Sequence, residues 1–222
     1  MKKYRILGLA LFAVFALSAI AAMVAYAEEE KNAEWLSNGA AIAVAAAATV
    51  NMEVVLTELV GGLGFGVLCS VRLDGTVGPG AADLITEMLN LSGEAIGELT
   101  GTGIICTPRE GCEAGTDAAM WPELLPWETL LTLMANGSFL DHIHIMLWFK
   151  CLVLNVDATD LCEGVISGEM LNVAGGVEPM FSAAAGTEKL DCTTGGVGSG
   201  TLETESTPLI TLNGGQTLTV SE

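Results

Sequence analysis

The sequence predicts an all-β domain, a sandwich or a barrel, tied by three disulfides, and three observations carry that prediction. The run LGFGVLCSVRLDG alternates strictly, with Leu63, Phe65, Val67, Cys69, Val71 and Leu73 on one face. Gly64, Gly66, Leu68, Ser70, Arg72 and Asp74 fall on the other, which is the period of a half-buried strand. Glycine-rich breaks recur at Gly61-Gly62, Gly78-Pro79-Gly80, Gly175-Gly176, Gly195-Gly196 and Gly214-Gly215, and short β-rich runs between such breaks suggest a sandwich or barrel. Six cysteines, an even number, complete the pattern. With 51% apolar and 16% charged residues, the chain has the composition of a packed domain.

The first element is a leader. Lys2, Lys3 and Arg5 precede the apolar run ILGLALFAVFALSAIAAMVAYA, and Ala25-Tyr26-Ala27 supplies small residues before Glu28. This reads as a signal peptide over residues 1–27, cleaved before Glu28. The rival is an uncleaved anchor, since the run approaches the ~20 residues that span a bilayer. Residues 28–32 form an acidic tail, and 33–222 a single β-rich domain with no Pro- or Ser-rich linker dividing it. Exported and extracellular is the expected location, with membrane contact only through the leader during export.

Next comes TVNMEVVLTELV, where Val50, Met52, Val54, Leu56 and Val60 share a face broken only by Glu58. The alanine-rich stretch before it favours helix, so a helix across 40–60 is the alternative. Further on, ETLLTLM-ANGS-FLDHIHI reads as a hairpin turning at Asn136-Gly137, because Asn-Gly accepts the positive φ of a two-residue turn. A helix over PWETLLTLMANG, with Pro126 in its first turn and Gly137 as its cap, is the alternative. The final PLITLNGGQTLTVSE looks like a hairpin around Asn213-Gly214-Gly215.

All six cysteines follow the leader, and an exported chain with an even count reads as disulfide-bonded. Spacing suggests Cys106–Cys112 across a tight loop and Cys151–Cys162 across a turn at Asn155–Ala158. Cys69–Cys192 would then be a long-range tie. A thiolate metal site is disfavoured because no C-x2-C pair is present.

After Ala27 there are five basic residues, Lys31, Arg72, Arg109, Lys150 and Lys189, against all 27 acidic ones, a net charge of −22. Such a field repels nucleic acid and anionic lipid. It tolerates cations, while solubility outside the cell is the plainer explanation.

The two histidines, His142 and His144, lie in FLDHIHIMLWFKC. Two residues apart on a strand, they can reach one zinc ion, but a site needs a third ligand and usually a fourth. The Asn-Gly register sets Leu131 opposite His142 and Thr129 opposite His144, with Asp141 and Glu128 on the other side. Asp157, Asp160 and Glu163 raise calcium on a turn, without the alternating ligand spacing of a calcium loop. Zinc and calcium are thus the two cations to consider, both against a plain structural role for these residues.

Catalytic patterns are thin. Ser199 lacks the G-x-S-x-G spacing of a nucleophile elbow, no glycine-rich phosphate loop precedes a lysine, and disulfide pairing would consume the thiols. No carboxylate pair stands out for glycoside hydrolysis. Trp121-Pro122-Glu123 and Pro126-Trp127 suggest an aromatic platform, though such aromatics more often cover a sheet edge or fill a core.

LCSVRLDGTVGPG, CEAG followed by WPELLPW, and CLVLNVDATDLCEG together resemble uncharacterised secreted proteins of high-GC Gram-positive bacteria. That resemblance implies bacterial export and assigns no activity. The expected function is a non-catalytic extracellular or cell-surface binding or structural domain, with a protein or glycan partner. The alternatives are a barrel carrying a small apolar ligand, or a metal-dependent hydrolase using His142 and His144.

Overall fold

The structure, a computed structural model, describes residues 33–60, 62–93, 103–116, 118–182, 189–192 and 198–222. The leader at 1–27, the acidic stretch 28–32 and Gly195-Gly196 lie outside them. Fifteen strands follow one another, with no helix among the described residues. They are β1 (Glu34–Ser37), β2 (Ala40–Ala41), β3 (Ala46–Val60), β4 (Leu63–Val77), β5 (Ala82–Leu89), β6 (Ile104–Pro108), β7 (Ala118–Pro122) and β8 (Trp127–Leu133). Then come β9 (Phe139–Val153), β10 (Val156–Val173), β11 (Gly176–Phe181), β12 (Leu190–Cys192), β13 (Gly198–Thr204), β14 (Thr211–Leu212) and β15 (Leu218–Ser221).

Four long strands make the frame. β3 pairs with β4, and β9 with β10, each along nearly its whole length. β5 and β8 bridge β4 to β9 near one end, while β6 and β7 bridge them near the other. On the opposite side β12 and β13 connect β10 back to β3. The circuit β3-β4-β5-β8-β9-β10-β12-β13 closes on itself, so the sheet is a barrel, and closure removes the exposed edges that invite aggregation.

The alternation read from the sequence lines the barrel. Val50, Met52, Val54 and Leu56 of β3, Val67, Cys69 and Val71 of β4, and Ile143, Ile145, Leu147 and Phe149 of β9 are buried in one core. The alternative helices at 40–60 and 126–137 are absent, since both stretches are strands. Tertiary pairing along fifteen residues of β4 outweighs the helix propensity of the alanines.

Three expectations are corrected. The disulfides are Cys69–Cys106, Cys112–Cys151 and Cys162–Cys192, instead of Cys106–Cys112, Cys151–Cys162 and Cys69–Cys192. Cys69 and Cys106 are direct cross-strand partners on β4 and β6, with Cα atoms 4.4 Å apart, and Cys162 and Cys192 likewise on β10 and β12 at 4.1 Å. Cys112 lies in the loop that crosses from β6 to β7, anchored where Glu113 N–H donates to Leu152 O. The turn joining β9 to β10 is Leu154-Asn155, both at positive φ, a two-residue turn of the type hairpins prefer. It closes earlier in the chain than Asn155–Ala158, so Cys151 faces Ala158 and cannot reach Cys162.

The β8–β9 connection is also one residue longer than a two-residue turn. Met134 N–H donates to Ser138 O, Gly137 takes φ +87°, and the Asn136 side chain accepts from Ser138 N–H. Leu130, not Leu131, therefore faces His142, and Thr129 faces Ile143. Finally, the C-terminal segment is no hairpin. β14 joins β3, and β15 crosses to β1 in a separate small sheet ordered β15-β1-β2.

Candidate functional site

The two ends of the barrel differ, and the small sheet makes the difference. Trp35 N–H of β1 donates to Gly80 O beyond the end of β4, and the Asn172 side chain near the end of β10 both donates to and accepts from the Val220 backbone. Trp35, Leu218 and Val220 join the core. That end is plugged. The interior beneath holds cavities of about 60 and 40 Å³, room for a few waters and far below the volume of a drug-sized ligand.

The opposite end carries the end of β3, the start of β4 and the hairpin tip at 153–156, with Leu63, Leu154 and Val156 exposed. There a cavity of about 280 Å³ opens among Glu58, Phe65, Phe149, Val153, Asp157 and Asp160. Glu58 is the residue that broke the apolar face of β3. Strand alternation forces it inward after Leu56, and it is only 4% exposed. Its Oε1 has no hydrogen-bond partner among the described residues.

Room for that carboxyl comes from β13, because a Cβ on Gly198 would stand 2.5 Å from Glu58 Oε1. Asp160 on β10, also buried, faces it. Burial first, then a hydrogen bond and charge repulsion from Asp160, push the Glu58 carboxyl up from 4.5 to about 8. At neutral pH Glu58 therefore holds its proton beside a carboxylate. Asp157, at the rim, pairs with Lys150 at 3.4 Å.

The loop over this end is locked by Cys112–Cys151, and Cys151 lines the cavity. Gly111 is required there: at φ +79°, a Cβ would collide with Gly64 O, and positive φ disfavours other residues as well.

A second acid pair sits toward the plugged end. Asp83 of β5 and Asp141 of β9 border the 60 Å³ cavity beside Thr129, each with a buried oxygen lacking a partner among the described residues. Burial, then the Asp141 charge, holds Asp83 well above the usual carboxylate range. Burial drives Asp141 up to about 7 against the opposing pull of Thr129 and the Leu130 backbone. At about 60 Å³, the space this pair borders admits only a few waters.

The histidines lie on the outer face of β9. Thr132 Oγ1 donates to Leu140 O and lies 3.1 Å from His142 Nε2, while Ser167 Oγ lies 2.7 Å from Nδ1. The two hydroxyls bracket the ring, and the tautomer sets which ring nitrogen donates and which accepts. Both ring nitrogens are engaged. His144 Nε2 lies 3.5 Å from Glu163 Oε1, so the two histidines do not converge on a shared third ligand. Glu163 is spent on His144, Asp160 points inward, and Asp157 stays at the rim, which separates the three acids considered for calcium. Among the described residues no group of three His, Cys, Asp or Glu is placed to hold a metal ion.

Of the tryptophans, Trp127 enters the core and donates its Nε1–H to Glu123 O at 3.0 Å. Trp121 and Trp148 stack across β7 and β9, with ring centroids 6.2 Å apart, and Trp148 Nε1–H donates to Glu123 Oε2. The WPE segment is thus a clamp on the outer wall. Ser199 lies on β13 between Leu59 of β3 and Asp191 of β12, with no histidine opposite it.

Comparison of the chain with protein-family models, with curated proteins and with solved structures finds no match.

Proposed function

We propose that this chain is an exported, non-catalytic binding domain that takes a small ligand at the barrel end opposite the β1–β15 plug. One observation carries the reading: the 280 Å³ cavity at that end, against 60 and 40 Å³ inside. Ligand sites are concave and mostly apolar, with a few placed polar groups. Glu58 and Asp160 among Phe65, Phe149 and Val153 have that character. The small interior volumes argue against a carrier that encloses an apolar molecule. The engaged nitrogens of His142 argue against a metal-dependent hydrolase centred there. Three disulfides and the leader-like N-terminal stretch support folding in an oxidising compartment outside the cytoplasm.

The test is a fragment screen followed by amide chemical shifts on the isotopically labelled mature chain. Binders should perturb residues 58, 65, 149, 153 and 157–160 and be recovered chemically unchanged. Binders confined to the Trp121–Trp148 wall, or a fragment converted to product, would overturn the proposal.

A further inference from the structure

We infer that the open-end cavity selects a small organic ammonium ion with an apolar body, its cationic head seated against the Glu58–Asp160 pair at the unpartnered Glu58 Oε1. This rests on the proposed reading of that end as the ligand site and names the class of ligand. Four observations converge on it.

The first is an unmet valence. Glu58 Oε1 is buried and lacks a partner among the described residues, and leaving such a group unpaired costs about 1–3 kcal/mol. A folded chain that retains this cost at the wall of a cavity gains it back when a donor arrives. An ammonium group offers up to three donors.

The second is charge. The groups facing the cavity are Glu58 from β3 and Asp157 and Asp160 from β10, with Lys150 of β9 tied to Asp157. Lys150 is held by Asp157 at the rim, so what the inner end presents to a ligand is the oxygens of the Glu58–Asp160 acid pair, which attract a cationic donor. A divalent metal would need a third close carboxylate, and none is placed for it among the described residues.

The third is the apolar wall. Phe65, Phe149, Val153 and the Cys112–Cys151 disulfide border the same space. Aromatic faces attract organic cations while repaying desolvation of an apolar body. An inorganic ion would leave that wall unused.

The fourth is delivery. A net charge of −22 after residue 27 draws cations toward the molecule and raises their encounter rate.

The experiment titrates the mature chain near pH 7 with 2-phenylethylamine, its neutral analogue 2-phenylethanol, and calcium chloride, following amide shifts and heat. The amine should perturb residues 58, 65, 149 and 157–160 and bind at least tenfold more tightly than the alcohol. Glu58→Leu, which removes the acceptor, and Asp160→Asn, each checked for a cooperative melt, should weaken the amine about tenfold or more. Asp157→Asn, at the rim, should change it less than threefold.

Equal binding of amine and alcohol at the open end would overturn the ammonium assignment while leaving the end as a ligand site. Perturbation of these residues by calcium alone would overturn it in favour of a metal. Absence of any shift there with all three probes, together with fragment binding elsewhere, would overturn both the assignment and the site. Should one inner variant fail to melt cooperatively, the amine-to-alcohol ratio on the unaltered chain still decides.

Discussion

Glu58 shows how a single residue can conflict with its strand and define a site. It is the one charged side chain on an otherwise apolar face of β3, and that interruption is legible in the amino-acid order alone. Its partner is not, because Asp160 reaches it only through the pairing of β10 to the remainder of the wall. Glu58→Gln removes the titration and keeps the shape, so it should leave the melting temperature near pH 5 almost unchanged. Near pH 9 it should raise it, by roughly 2–4 °C for each kcal/mol recovered in a domain of this size. Thermal melts at the two pH values check this.

Gly198→Ala should destabilise by about 1–3 kcal/mol, as overpacking does, because the new Cβ meets Glu58 Oε1 and Cys192 O. Combining it with Glu58→Ala should restore part of the loss, measured by a double-mutant cycle in urea. At His142 the prediction is structural. His142→Ala leaves the Ser167 and Thr132 hydroxyls without their ring partner and should cost about 1–2 kcal/mol, with no change in metal content by mass spectrometry.

At the scale of elements, strands are more legible than their registers. Alternation places the core face of β4 and of β9 correctly, because a period of two depends only on local sequence. Turn geometry then decides which residues meet. The β8–β9 loop contains one more residue than Asn-Gly alone implies, and the β9–β10 turn is Leu154-Asn155, whose leucine no turn preference would select. Each of these shifts moves a cysteine or a histidine to a different neighbour. The disulfide pairing escapes local reading for a related reason: β4 with β6 and β10 with β12 are long-range pairings, separated by 37 and 30 residues at the cysteines.

Peptide mapping under non-reducing conditions should recover Cys69–Cys106, Cys112–Cys151 and Cys162–Cys192. A Cys106–Cys112 peptide would contradict the pairing of β4 with β6. Removing Cys162–Cys192 as a double alanine variant should cost about 2–4 kcal/mol, since the bond closes a loop of some thirty residues in the unfolded chain. Chemical denaturation measures it.

The whole molecule carries buried acids near both ends, and they set its response to pH. Asp141 is raised to about 7 and Glu58 to about 8, chiefly by burial, while the unfolded chain titrates them near 4 to 4.5. The folded state therefore binds protons more tightly than the unfolded one. Its extra stability is complete below about pH 4 and is lost as pH rises through 7 and 8. Self-repulsion of the many carboxylates acts in the same direction. Melting temperature should therefore fall from mildly acidic to mildly alkaline pH, and the Glu58→Gln/Asp141→Asn double variant should flatten that fall.

Fold class is legible in the sequence because alternation, glycine breaks and paired cysteines agree. Barrel closure and the plugging of one end are not, since both arise from contacts between distant strands. The most direct measurement is a carbon-13 titration of the Glu58 side-chain carboxyl in the chain from residue 28 onward. The expected midpoint lies near pH 8, displaced when Asp160 is replaced by asparagine. A midpoint near 4.5, indifferent to Asp160, would mean that Glu58 faces water and that the buried acid pair at the open end does not exist.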